Sequence, residues 1–296
     1  MKTKKYLVAG ALMLVMSSPA MAQEVNYAEA LKPIVAALEA APNDPKAAKD
    51  LIKEYQKSFK KNEEAMVALG NVYLLQHNYD QASAIAQSVI DNKKFNGALA
   101  YILRGDIAAL KDSVGNAGAA AAEYQTAISL DPQNVTAYER YAKVYRHVNA
   151  KVAVAKLEEL RKIKPDYPVE ATAAEIMLND GKYAEALKWY NMANPANMSE
   201  DNFYNYGFAA YITKDYNKAL DVAKQGLTKF PGSEYLSRIA MMAAVELKDY
   251  AQAVNFANAV FAGKGKKVSN DYDMCAKALC GNKQYDEAVA AVNKAL

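Results

Sequence analysis

A tyrosine followed three residues later by an alanine recurs along this chain at a nearly constant interval. The pairs are Tyr79/Ala82, Tyr183/Ala186, Tyr216/Ala219, Tyr250/Ala253 and Tyr285/Ala288, and the last four tyrosines lie 33, 34 and 35 residues apart. From Tyr79 to Tyr183 is 104 residues, room for two further units. A polar break precedes each tyrosine: His77-Asn78, Asn179-Asp180-Gly181, Lys214-Asp215, Lys248-Asp249 and Gly281-Asn282. Such residues end one helix and turn the chain. Roughly nine to ten residues upstream of each tyrosine stands a small residue (Gly70, Ala174, Gly207, Ala276), with the larger Met241 as the exception. Pro132, Pro165 and Pro231 close units where a helix cannot continue. A unit is therefore two short helices, and a period of roughly 34 residues calls for stacked copies that share one continuous core.

On these residues the chain resembles the tetratricopeptide repeat (TPR) family, whose unit is a pair of antiparallel helices. The resemblance covers about residues 63 to 296, as seven units starting near 63, 98, 135, 167, 200, 234 and 269. It implies an all-α, right-handed α-solenoid of antiparallel helix pairs, a TPR superhelix; that the chain is an exported bacterial member is a separate expectation, taken from its first residues. Only Gly or Ala fits where the two helices cross most closely, and the aromatic residue at the second helix start fills the wedge between them. The second unit carries extra residues, Lys111 to Gly118. The third lacks the tyrosine, and its second helix, Ala150 to Lys164, is rich in charge. Upstream, Val25 to Ala41 and Pro45 to Lys61 form two more amphipathic patterns, with Leu51, Ile52, Tyr55 and Phe59 on one face. These are expected to make a helical hairpin over 23–62 that caps the array, with Pro33 bending or beginning its first helix.

The first residues read as a leader. Lys2, Lys4 and Lys5 precede a weakly polar to apolar run from Tyr6 to Met16, and Ala20-Met21-Ala22 ends it. That is the layout of a secretory signal peptide over 1–22, cleaved between Ala22 and Gln23. The run is shorter than the ~20 residues that cross a bilayer. The expected location is the periplasm or the extracellular space. The chain of 296 residues has 36 basic and 33 acidic side chains. Removing the three leader lysines leaves 33 of each, so the basic character belongs to the leader and points to neither nucleic acid nor anionic membrane. No later stretch is long and apolar enough to cross a membrane. Cys275 and Cys280 lie five apart on one expected helix, beyond the ~7 Å reach of an easy disulfide. Fraying at Gly281 would permit a bond, so pairing stays open.

The residues of catalysis are missing as a set. His77 and His147 stand in different units without Cys or carboxylate companions at motif spacing, and there is neither a Gly-x-Ser-x-Gly elbow nor a His-Glu-x-x-His pair. Gly263-Lys264-Gly265-Lys266-Lys267 lacks the Ser or Thr and the upstream Gly of a phosphate loop, and is expected to be a flexible basic link. Glu63-Glu64 and Glu158-Glu159 are solvated helix charges. Asp112-Ser113-Val114 resembles an envelope O-glycosylation triplet, against which stands a plain turn. The expectation is no enzyme, no cofactor and no metal.

The resemblance implies that the first helix of each unit lines a concave groove. In the fifth unit Phe203, Tyr206, Gly207 and Ala210 take packing positions, yet Tyr204, Phe208 and Tyr211 form a second stripe. The sixth adds Tyr235, Arg238, Met242 and Val245. Together they predict an aromatic and apolar patch with one cation, suited to a protein or peptide partner; ordinary packing is the competing reading. The third unit offers Glu139, Lys143 and Arg146 instead. Asn71 stands at a position of the family's clamp for acidic tails, but Val67 replaces the expected Lys, so that activity is not carried over. The leading expectation is a periplasmic or secreted protein–protein interaction scaffold. The alternative is a glycan-binding module of the envelope, against which counts the single Trp189, on a second helix. The last helix, Tyr285 to Leu296, leaves Val289, Val292 and Leu296 for self-association or for plain exposure.

Overall fold

The computed structural model describes residues 26–41, 44, 46, 48–111 and 116–295. The leader with its cleavage point, the Asp112-Ser113-Val114 triplet and Leu296 lie outside them. Sixteen α-helices in successive pairs, with no strand among the described residues, make an all-α array. They pack into two compact blocks divided between Ile163 and Lys164.

The first block holds α1 (Tyr27–Ala40), α2 (Lys49–Phe59), α3 (Glu63–Leu75), α4 (Tyr79–Ile90), α5 (Ala98–Lys111), α6 (Ala117–Leu130), α7 (Val135–Tyr145) and α8 (Ala150–Ile163). Pro33 lies inside α1 rather than at its start. Lys111 closes α5, while Ala117 and Gly118 already belong to α6, so the extra stretch in this pair is shorter than the sequence implies. One core runs from Leu31 and Ile34 through Leu69 and Ile85 to Leu103 and Ile107. A polar cluster crosses three helices: the Tyr124 hydroxyl donates to Asp106 at 2.7 Å, and Arg140 pairs with the same carboxylate at 3.4 Å. Burial raises the Asp106 carboxyl above its ordinary range, against the pull of Arg140 and of the Tyr124 bond.

The second block holds α9 (Glu170–Asn179), α10 (Tyr183–Met192), α11 (Glu200–Ile212), α12 (Tyr216–Lys229), α13 (Glu234–Glu246), α14 (Tyr250–Ala262), α15 (Ser269–Gly281) and α16 (Tyr285–Ala295), with a short 3-10 turn at Pro195–Asn197. Small residues stand where helices touch. A Cβ on Gly207 would lie 2.8 Å from Ile239 of α13, and one on Gly70 in the first block 2.4 Å from Leu103 of α5. Met241, the large exception, is fully buried among Ala240, Ala243 and Ala244, where its unbranched thioether fills the space that alanine neighbours leave.

The polar breaks have a common geometry. The residue two before each second-helix tyrosine is left-handed: His77 (φ 56), Gly181 (φ 73), Lys214 (φ 63), Lys248 (φ 61) and Lys283 (φ 65). The next amide then reaches back to the first helix, as Asp215 does to the Ala210 carbonyl and Asp249 to the Ala244 carbonyl, both at 2.9 Å. This is the reverse bond that closes a helix C-terminus. Asn78, Asp215 and Asp249 meanwhile cap the second helix by accepting from the amides of Gln81, Lys218 and Gln252. Two adjacent residues thus stop one helix and start the next. The tyrosine that follows reaches the neighbouring pair as well as its own. The Tyr79 hydroxyl donates to Leu110 of α5, and Gly281 of α15 lies so close to the Tyr250 ring that a Cβ there would be 2.4 Å away.

Candidate functional site

The aromatic residues singled out by sequence meet on the first helices of the second block. Tyr204 and Phe208, one turn apart on α11, stack with ring centroids 6.2 Å apart and planes at 11°. Tyr235 of α13 meets Tyr204 edge-on at 6.0 Å, and Tyr183 of α10 meets Phe208 edge-on at 6.1 Å. Offset and edge-on contacts of this kind satisfy the ring quadrupoles. Tyr204 and Phe208 are half-buried against the core, whereas Tyr235 is 58% exposed. Tyr211, one turn further along α11, packs on Tyr216 at 5.4 Å, and its hydroxyl donates to Glu246 at 3.4 Å. Burial, then the Glu246 charge, raises the Tyr211 phenol above its ordinary range. Met242 is half-buried, and the Asn270 amide approaches its sulfur at 4.0 Å.

Arg238 does not offer the open cation that its position suggests. Its Nε donates to Asp271 at 2.8 Å, a second nitrogen donates to the Lys266 carbonyl at 3.1 Å, and Glu234 lies 3.7 Å away. The guanidinium stands 5.7 Å from the Tyr235 ring centre. Its charge is spent on holding α13 to α15, and its planar fork fixes Tyr235 beneath it. Val245 departs from the expected stripe too: it is buried in the core with Ala244 and Met274.

The Gly263–Lys267 segment is tied down, which corrects the expectation of a flexible link. Lys267 donates to Glu234 at 2.7 Å and to the carbonyls of Gly263 and Gly265 at 2.9 and 2.8 Å; the Gly265 amide donates to Glu234 at 2.7 Å. These bonds, the one from Lys267 first, hold the Glu234 carboxyl below its ordinary range. A Cβ on Gly263 would meet that carboxylate at 2.0 Å, so the loop needs glycine to close over it. Similar clasps recur near the starts of other first helices. Glu63 accepts from the amides of Asn96 and Gly97 at 3.0 and 3.1 Å, and Glu200 accepts from Ser233 at 2.5 Å. The signal that could have found them is a glutamate at the start of a unit with a donor 31 to 34 residues on.

The other candidates fall as the sequence placed them. His77 contacts Tyr79 at 3.1 Å within its turn, and His147 accepts from its neighbour Arg146 at 3.0 Å. Cys275, half-buried, and Cys280, exposed, are both free. Trp189, on α10, is buried. Among the described residues no group of His, Cys, Asp and Glu could hold a metal ion. No helix among them is long and apolar enough to cross a membrane.

No protein-family model matches the sequence, and no curated protein does. Solved structures match in fold. The C-terminal part of a TPR repeat-containing protein from Cytophaga hutchinsonii is similar at 16% identity and TM-score 0.59, covering 77% of this chain and 92% of that one. YrrB, described as a TPR protein with an unusual peptide-binding site, is similar at 16% identity and TM-score 0.51, covering 58% of this chain and 90% of its own. A tetratricopeptide repeat protein from Parabacteroides merdae is similar at 15% identity and TM-score 0.50, covering 79% and 91%.

Proposed function

We propose that this chain, a tetratricopeptide-type α-solenoid by fold, is a non-catalytic scaffold that holds a peptide or partner-protein segment against α11 and α13. The observation that carries this reading is the run Tyr183–Phe208–Tyr204–Tyr235, four rings in successive contact across α10, α11 and α13, with the Tyr235 end of the run exposed. Helix pairing accounts for Phe203 and Tyr206, which are buried. It does not account for a second aromatic layer outside them. Tyrosine buries a large area on binding and keeps a hydroxyl for a partner's backbone. YrrB, which shares the fold, carries a peptide-binding site by its own description.

The leader reading places this scaffold in the periplasm or outside the cell, with Gln23 as the first mature residue. Glycan stacking is disfavoured because Trp189, the residue best suited to it, is buried on α10. The test is peptide selection on the mature chain, residues 23–296, beside Tyr204→Ala combined with Phe208→Ala. Peptides selected by the native chain should bind the double variant at least about tenfold more weakly, while its circular dichroism stays native. Equal binding by the two overturns the reading.

A further inference from the structure

The outer face of α2 carries one sign of charge. Lys49, Lys53, Lys57 and Lys60 recur at intervals of four, four and three residues. On a helix of 3.6 residues per turn they fall within about 80° of one another. Lys46 precedes this stripe and Lys61 follows it, and all six lysines are exposed. The apolar side of the same helix is already in use: Ile52 and Tyr55 are buried, Phe59 packs on the core, and the Tyr55 hydroxyl donates to the Ala65 carbonyl at 3.0 Å.

These lysines lack counter-ions. Lys32 pairs with Glu29 and Lys277 with Asp273, each one turn away on its own helix. Among the described residues no carboxylate pairs with any of the six, although Asp50 and Glu54 stand three residues before Lys53 and Lys57. Lys49, Lys53 and Lys57 instead form two successive i, i+4 pairs of like charge, which oppose the helix. Residues 46–61 hold six lysines against two acids, an excess of four charges, in a mature chain whose basic and acidic side chains are equal in number. A face kept for solubility intersperses the two signs. This one holds a repulsion that a bound anion relieves.

We propose that the lysine face of α2 docks an acidic helix of a partner protein, laid alongside α2 with carboxylates at matching i, i+4, i+8 and i+11 places. The steps along the stripe are about 6, 6 and 4.5 Å, the same as those between such carboxylates, so each ammonium meets one. Lysine suits this task as a point charge on a flexible stem. Asp50 and Glu54 border the stripe on one side, where they repel a broad anionic surface such as a lipid plane. No aromatic residue stands among the six lysines to stack a nucleic-acid base, since Tyr55 and Phe59 face the core. This surface does not depend on the groove reading.

The probe is a blocked, alanine-based helical peptide with glutamates at i, i+4, i+8 and i+11, beside the same peptide with glutamines there. Binding to the mature chain is measured by titration calorimetry and mapped by amide chemical shifts. The glutamate peptide is expected to bind about tenfold or more tightly than the glutamine one. That advantage should shrink as sodium chloride is raised, and the shifts should centre on α2. Lys49→Glu with Lys53→Glu and Lys57→Glu should abolish the preference, and glutamine at the same three positions should remove most of it while circular dichroism stays native. The same reversal at Lys151, Lys188 and Lys224, exposed lysines on three other helices, changes the net charge equally and should leave binding within about twofold. Equal binding of the two peptides, no binding of either, or an equal loss in the control reversal overturns the proposal. So does tighter binding of phosphatidylglycerol vesicles, or of a single-stranded oligonucleotide, than of the glutamate peptide. Loss of the peptide in Tyr204→Ala with Phe208→Ala, with the α2 variants unaffected, overturns the α2 surface and leaves the aromatic wall standing.

Discussion

Replacing Gly105 by alanine separates the close-contact argument from general helix propensity. A Cβ at Gly105 would lie 2.3, 2.7 and 2.8 Å from three atoms of the Tyr124 ring, where ordinary contact begins at 3.4 Å. The ring would have to retreat by about 1 Å, the difference between 3.4 and 2.3. It has nowhere to go: Tyr124 is 1% exposed, and its hydroxyl is fixed on Asp106. Forcing a methyl into a packed site costs about 1–3 kcal/mol. Loosening a buried bond to a carboxylate adds about 1.5–3 kcal/mol. The better helix propensity of alanine returns about 1 kcal/mol. The net expectation is a loss on the order of 3 kcal/mol. Gly118 is the control, since it lies in α6 with nothing within 4 Å of its hypothetical Cβ. Alanine there should be neutral or stabilising by up to about 1 kcal/mol. Urea unfolding followed by circular dichroism measures both. Gly105→Ala with a midpoint at or above the native chain, or a matching loss in Gly118→Ala, refutes the reasoning.

Lys214→Gly should raise stability by roughly 0.5–1 kcal/mol in the same titration, because Lys214 holds φ at 63° where a side chain is strained and Gly181 already fills the equivalent place. The Glu234 clasp should be pH-dependent with a definite sign. The carboxyl is held below its ordinary value, so its stabilisation is present above the unfolded range near about 4.3 and is lost as pH falls through the folded value. The protection of the Gly265 amide against exchange, relative to an unprotected amide at the same pH, should therefore fall on acidification, and should be low already at neutral pH in Glu234→Gln. If acid leaves that amide protected, the clasp is not what holds the loop. Self-association through α16 is proposed on Val292, 46% exposed where the equivalent Ala223 and Ala257 are 0% and 1%, and on the exposed Tyr285 and Val289. The mature chain should sediment as a dimer at tens of micromolar, and Val289→Lys with Val292→Lys as a monomer. A native chain that is monomeric there removes the idea.

Local sterics made the array readable from sequence. A tyrosine at a helix start, a small residue at a crossing and a polar pair at a turn act within about 34 residues, so each unit states its own hairpin and the period states the stack. The second stripe of Tyr204, Phe208 and Tyr211 was legible for the same reason, since helical spacing puts them on one side of α11. What escaped depends on how one pair packs against the next. Arg238 reads as a free cation until Asp271, 33 residues on, is brought to 2.8 Å. Val245 reads as groove lining until the neighbouring helices bury it, and the Gly-Lys segment reads as slack until Glu234 closes it. The bond from the Asn202 side-chain amide to Glu175 likewise joins residues 27 apart and in different repeats. The sequence period determined which helices form and in what order. Only the lateral packing of successive pairs decided which charges were consumed inside the array and which side chains were left exposed.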